Sequence, residues 1–381
     1  MIDVLAGQEA LRQMRVDEAV TAFTRALAGD PENVAAHLGM YEALQVKGDP
    51  ATAVAHQRRA LEQRQLFLEK PTPKGAPSVL LVATPGDWQA NVPLEFLYAS
   101  LNIGIHKLFV GDGLPMPDPR ALPGDVIFNV VAQSDAVDRT LAMLQTWLPK
   151  IGRPLLNPPA AVQKLSREGV ARDFAGIGGA LVPKVRRLKR ESLGRDIELP
   201  AIVRPIGSHA GSALAKIEGS DQWPSYLETT QATEFYVAPF VDYRSDDGYF
   251  RKYRIIFVGG APYAHHLAIS DRWMIHYYNA LNEREAWIRE EEARFLSDVF
   301  AVFDGPRRGV LEELARRVGL DYFGIDCGIM PDGRVLFFEV DAAMIVHLGD
   351  SPELYPYKQQ FVPRIPDALE KLIRNATLRW G

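Results

Sequence analysis

Two apolar runs set the frame of the chain. Ser78 to Ala83 reads Ser-Val-Leu-Leu-Val-Ala, and Asp125 to Val131 reads Asp-Val-Ile-Phe-Asn-Val-Val. Short apolar runs of this kind fit strands buried on both faces. Thr84-Pro-Gly-Asp follows the first run and predicts a turn leading to a helix near Asn91, with Pro93 in its first turn. Ser134-Asp135 follows the second and predicts a helix to about Leu148. Strand and helix alternating in this way predict a small α/β layer over 78–155. Residues 1 to about 65 follow a helical period instead. Ala19, Phe23 and Ala26 form a small-large-small set, and a shift of 34 residues lands on Ala53, Gln57 and Ala60. Pro31 ends the first unit, and Gly48-Asp49-Pro50 marks a turn within the second. The predicted boundaries are helices over 1–68 and a Pro-rich linker over 69–77, centred on Lys-Pro-Thr-Pro-Lys-Gly-Ala-Pro.

Further along, Arg251-Lys-Tyr-Arg-Ile-Ile-Phe-Val-Gly-Gly alternates like a strand running into a glycine turn. Within Leu320 to His347, two apolar runs flank Pro331-Asp332-Gly333, a hairpin signal. With Asp332 and Gly333 as the two turn residues, Asp326 lies opposite Glu339. Asp341, two positions on, shares the face of Glu339. Three carboxylates on one patch repel each other unless cations hold them, and oxygen-only donors suit a hard ion such as Mg²⁺.

Composition narrows the class. The 381 residues are 47% hydrophobic and 24% charged with a net charge of −5, which gives no electrostatic case for nucleic acid or an anionic membrane. The single cysteine, Cys327, excludes an intrachain disulfide and predicts a reducing, cytoplasmic setting. Cys327 is expected in the core. No Gly-x-Gly-x-x-Gly follows the first strand, so a dinucleotide-binding fold is not supported.

The stretch Gly319-Leu-Asp-Tyr-Phe-Gly-Ile-Asp326, a glycine turn and Phe338-Glu-Val-Asp341 resembles the metal-binding end of ATP-grasp enzymes. The resemblance implies an ATP-grasp body over 156–381, an α+β fold preceded by the small α/β domain. It implies ATP as cofactor with two Mg²⁺ ions, or Mn²⁺ in their place, on Asp326, Glu339 and Asp341; the family usually has Asn at the last position. Lys164 and Arg204 would hold the nucleotide, Arg204 standing where the family has lysine. Gly207, Ser208, His209, Gly211 and Ser212 resemble the glycine-rich lid over the phosphates. Ala238, Phe240 and Val241 lie in a segment that resembles the hinge strand beside the adenine. Arg254 matches the arginine beside the transferring phosphoryl group, and Lys252 shares its face. Arg272, His276 and His347 are the candidate substrate contacts. Asp87, Trp88 and Asn91, after the first strand of the preceding domain, are weaker ones. The N-terminal spacing resembles tetratricopeptide repeats, which implies a groove for a peptide or protein, or a packing element.

The implied reaction is ATP-dependent ligation of a carboxylate to an amine through an acyl phosphate, with small-molecule or peptide substrates and no nucleic-acid or membrane partner. Two other readings fit the same residues. One is a kinase that phosphorylates a single acceptor. The other is a non-catalytic nucleotide-binding adaptor, favoured by Arg204 and Asp341.

Overall fold

The computed structural model describes residues 1–208, 211–275 and 281–380. The chain divides into two compact units: Met1–Ala132 with Ala136–Pro159 and Ile373–Gly381, and Gln133–Asp135 with Ala160–Leu372.

The first unit begins with α1 (Ile2–Arg12), α2 (Val16–Gly29), α3 (Val34–Lys47) and α4 (Pro50–Gln63). A shift of 34 residues carries the bounds of α2 onto those of α4. The Asn33 and Asp49 side chains cap α3 and α4 by accepting from the Ala36 and Thr52 N–H groups, and Gly48 ends α3 at φ 84°. Phe23 is the centre of this packing. Its ring lies against Gly7 and Gly39. A Cβ on Gly7 would come 2.6 Å from the ring, and one on Gly39 would overlap it. Ala19, Ala53 and Ala60 are fully buried, as small residues must be where helices approach this closely.

Gln57, at the position of an expected large apolar side chain, is only 2% exposed. It is satisfied, because its Oε1 accepts from the Gly86 N–H at 2.9 Å. The Tyr41 hydroxyl donates to the Gly86 carbonyl at 2.9 Å. The polar residue is therefore a joint: it ties α4 to the loop after the strand Ser78–Ala83.

That α/β layer is a sheet of β1 (Leu66–Lys70), β2 (Ser78–Ala83), β3 (Gly104–Phe109), β4 (Val126–Asn129) and β5 (Leu155–Leu156), in the order β1-β3-β2-β4-β5. β1 is antiparallel to β3, and the other pairs are parallel. α5 (Asp138–Trp147) follows β4. The expected helix after β2 is only a 3₁₀ turn, Leu94–Leu97, with Pro93 at its start. Asn91 instead brackets Thr84, accepting from its N–H and donating to its carbonyl, both at 2.8 Å. Its side chain is consumed by the loop. Leu66–Lys70, expected within the helical segment and the start of the linker, is an edge strand.

The second unit carries α6 (Pro159–Gln163), α7 (Arg167–Asp173), β6 (Ala180–Leu181), β7 (Arg186–Lys189), β8 (Ala201–Pro205), β9 (Ala215–Ile217), α8 (Gln222–Glu228) and β10 (Glu234–Pro239). It continues with β11 (Phe250–Val258), β12 (Ala261–Ser270), α9 (Ala286–Ser297), α10 (Pro306–Val318), β13 (Tyr322–Ile329), β14 (Val335–Asp341), α11 (Lys358–Phe361) and the part of α12 (Arg364–Trp380) up to Leu372. Two sheets result, β7-β10-β8-β9 and β12-β11-β13-β14-β6. In the second, Phe257 stacks on Phe323 with ring centroids 4.6 Å apart, while Tyr253 meets Phe295 and Phe303 edge-on. A buried carboxylate pins β12: Glu292 of α9 accepts from Tyr357 Oη at 2.6 Å and from the Leu267 N–H at 3.2 Å, with Lys358 Nζ 3.3 Å away. Cys327 is fully buried, and burial holds its thiol far above its ordinary pKa. No described helix is long and apolar enough to cross a membrane.

Candidate functional site

The hairpin β13–β14 reaches the expected pairing by an unexpected route. The Gly333 N–H donates to Met330 O and the Met330 N–H to Arg334 O, both at 2.8 Å, so three residues form the loop. Gly333 takes φ 85°, as the last position of such a loop requires. That loop alone would offset the strands by one residue from the expected pairing. A bulge between Asp326 and Cys327 takes up the offset, leaving Phe338 as the extra residue, and Asp326 again faces Glu339. Asp341 lies opposite Gly324. β14 is internal, between β13 and β6.

Cations occupy this face. On β11, Arg254 is registered with Asp326. Its Nε and Nη2 donate to Oδ1 and Oδ2 at 2.8 and 2.9 Å, a two-point fork. Lys252 Nζ lies 3.3 Å from Oδ2. The Asp326 side chain is 6% exposed. Burial alone would raise its pKa, but Arg254 and Lys252 hold it well below the usual carboxylate range. Glu339 is bound by a residue that the sequence reading did not single out: Arg167 Nη2 donates to its Oε1 at 3.1 Å. Asp341 accepts from the Ala343 N–H at 2.9 Å, and its carboxyl is pushed up to about 6 by burial and then by the Glu339 charge.

The oxygen-only donor set fits a hard divalent cation. In this structure, however, Asp326 and Glu339 are engaged by cations, and no three metal-binding side chains among the described residues close into a cage. Glu339 and Asp341, on the more open strand, are the better-placed ligands. Asp326 primarily orients Arg254, leaving the Nη1 side of the guanidinium for another anion.

The nucleotide candidates separate. Arg204 on β8 is half-buried, and its guanidinium donates to Ser208 Oγ at 3.1 Å and to the Ser208 carbonyl. Burial, then the Arg167 charge, pull its pKa down to about 10. Lys164 is exposed in the turn after α6, and Ser166, rather than Lys164, caps α7 by accepting from the Gly169 N–H. Gly207 and Gly211 adopt φ of 72° and 74°, and Gly211, Ser212 and Ala213 lie in one turn. His209 and His276 lie outside the described residues. Ala238 is paired with Ile202 in the β10–β8 ladder. The Phe240 N–H is already given to Pro200 O at 2.9 Å, so it is not the donor for a base edge here. Lys216 Nζ lies 4.0 Å over the Phe240 ring. Val241 packs in the cluster around Tyr243 and Phe250.

Among the substrate candidates, Arg272 is exposed, its N–H held by Ser270 Oγ at 3.2 Å. His347 is half-buried and donates its N–H to His265 Nε2 at 3.4 Å, with the rings 5.6 Å apart. His265 is the extra residue of a bulge, since Arg254 pairs with His266 and Ile255 with Ala264. Burial and then Arg254 or the neighbouring histidine hold His265 and His266 neutral. Asp87 accepts from the Gln89 N–H at 2.9 Å, and Trp88 is exposed. A bulge is invisible to alternation and shows only in the strand register, and Arg167 carried no motif; its partner shows only in the folded ion pair.

No family model matches the chain, and no curated protein does. Several solved structures are similar to it over most of its length. The VanG D-Ala:D-Ser ligase of Enterococcus faecalis is 12% identical, with 78% of this chain and 99% of that one covered and a TM-score of 0.48. A RimK domain ATP-grasp protein of Sphaerobacter thermophilus gives 14%, 78%, 99% and 0.44 on the same measures. The D-alanine–D-alanine ligase of Bacillus anthracis complexed with ATP gives 12%, 80%, 100% and 0.49. At identities this low and TM-scores under 0.5, the reading of function rests on the site's own geometry.

Proposed function

We propose that the chain is an ATP-grasp ligase that joins a carboxylate to an amine with formation of ADP and phosphate. The observation that carries the reading is the paired Asp326 and Glu339, with Asp341 beside them, Arg254 and Lys252 on Asp326 and Arg167 on Glu339. Such a balance of acids and fixed cations suits a polyphosphate with a divalent metal. Mg²⁺, held by Glu339 and Asp341 with Asp326 one strand away, would neutralise phosphate charge when bound. A substrate carboxylate oxygen attacks the γ-phosphorus, the bond to the β-phosphate oxygen breaks, and ADP leaves. The amine nitrogen then attacks the acyl carbon, phosphate departs, and the nitrogen loses its proton to solvent. Arg254, its Nε edge fixed by Asp326, offers Nη1 to the anionic intermediate. Arg204, bonded to Ser208, would hold the nucleotide phosphates. The glycine-rich segment of Gly207, Ser208, Gly211 and Ser212 would exclude water from the acyl phosphate. The four N-terminal helices are proposed to present a peptide or protein substrate.

Mass analysis of the products formed from Mg-ATP with pooled amino acids and short peptides tests this. ADP together with a new amide supports ligation. A phosphorylated single acceptor would make the chain a kinase instead.

A further inference from the structure

The cations of this site differ in how firmly they are held. Arg254 makes two bonds to Asp326, which is almost fully buried. Arg167 makes one, to Glu339, and the two side chains are 30% and 39% exposed. The turn that carries Arg167 is well defined. Ser166 accepts from the Gly169 N–H at 3.1 Å, and a side chain on Gly169 would overlap the Lys164 carbonyl. The base of Arg167 is therefore fixed, while its long side chain ends in a single, partly hydrated contact. Arg204, whose acceptors are the two neutral oxygens of Ser208, lies close enough to feel the Arg167 charge. Arg167 is thus the guanidinium bonded to Glu339, while Arg204 spends its donors on neutral oxygens. Asp341 follows Glu339 by two positions on β14, so removing Arg167 would take away the guanidinium bonded to Glu339 and leave it beside a second carboxylate.

We propose that Arg167 is a shared cation: it holds Glu339 in the empty site and turns to the phosphates when a nucleotide enters, releasing Glu339 for the metal. This rests on the nucleotide-binding part of the proposed function. It assigns the phosphate contact on this segment to Arg167 rather than to Lys164. It also makes nucleotide and metal bind cooperatively, since each takes one partner of the same ion pair. A structural ion pair would give no such coupling.

The test uses the full chain and two separate titrations. Mn²⁺ binding is measured without nucleotide by electron paramagnetic resonance, and ADP binding is measured by calorimetry in chelator. Arg167→Met is expected to bind Mn²⁺ alone at least threefold more tightly and ADP alone roughly tenfold more weakly, the size of one charge-assisted contact of about 1.4 kcal/mol. Lys164→Met is expected to leave both constants within twofold. Arg167→Lys keeps the charge on Glu339 and is expected to bind Mn²⁺ alone as weakly as the unaltered chain. Opposite signs in the two titrations cannot come from a folding defect, which weakens both. Equal binding of ADP by the unaltered chain and Arg167→Met would overturn the inference and leave the ligase reading standing. Should Arg167→Met fail to fold, tightened Mn²⁺ binding by Arg167→Lys would overturn it equally. No ADP binding by the unaltered chain would overturn the reading on which the inference rests.

Discussion

Replacing Arg254 with methionine is the sharpest structural perturbation of the site. It removes both arms of the fork, at 2.8 and 2.9 Å, from a carboxylate that is 6% exposed. Breaking a buried ion pair costs about 3–5 kcal/mol because the remaining charge is left uncompensated. Lys252 stays 3.3 Å from Oδ2, so the lower end, about 3 kcal/mol, is expected. At roughly 2–4 °C per kcal/mol for a unit of this size, Tm should fall by about 6–12 °C. The pH dependence follows from the direction of the shift. In the native chain Asp326 is held below its unfolded value near 3.9, so its contribution is full above about pH 4 and is lost only as pH falls towards the folded value. In the variant burial is opposed by Lys252 alone and the carboxyl rises, so protonation relieves part of the strain as pH falls. The stability gap between the two proteins should be widest near neutrality and should narrow towards about pH 4. Thermal melts followed by circular dichroism between pH 7 and 4 measure this, with Asp326→Asn and the double variant completing a cycle. An unchanged Tm, or a gap that does not narrow on acidification, would refute the reasoning.

Other consequences concern the scaffold. Gly39→Ala must displace the Phe23 ring and should destabilise by about 1–3 kcal/mol, whereas Gly309→Ala in α10 meets nothing within 4 Å and should stabilise by up to about 1 kcal/mol; chemical denaturation separates them. Gln57→Leu strips the Gly86 N–H of its acceptor and should cost about 1–3 kcal/mol in the same assay. His56, whose Nδ1 lies 2.8 Å from that of His37, has its pKa lowered by burial and then by His37. A histidine whose folded pKa is depressed loses stability as pH drops below its unfolded value near 6.5. Melting between pH 7.5 and 5.5 should therefore fall less in His56→Gln than in the native chain.

The legible parts of this chain were those with strong local chemistry. Ser78–Ala83 and Val126–Asn129 stand out because strands covered on both faces must be apolar throughout. Gly259 and Gly260 mark the β11–β12 turn because both take positive φ. Asp326 and Glu339 face each other as expected, but only because a three-residue loop and a bulge at Phe338 compensate, and neither leaves a sequence signal. Edge strand β1 and strand β3 were missed. Gly104-Ile-His-Lys-Leu-Phe109 mixes polar with apolar residues, and Leu66-Phe-Leu-Glu-Lys70 abuts a linker pattern. Arg167 was missed for a different reason. Its meaning lies in Glu339, 172 positions away, and a long-range ion pair has no local pattern.

The central claim is tested most directly by the rate of ADP release from Mg-ATP, measured with and without each co-substrate pool, for the native chain and Glu339→Gln. Ligation predicts release that requires both an acid and an amine and is lost in Glu339→Gln. Release that needs neither pool, or that persists in the variant, would contradict it.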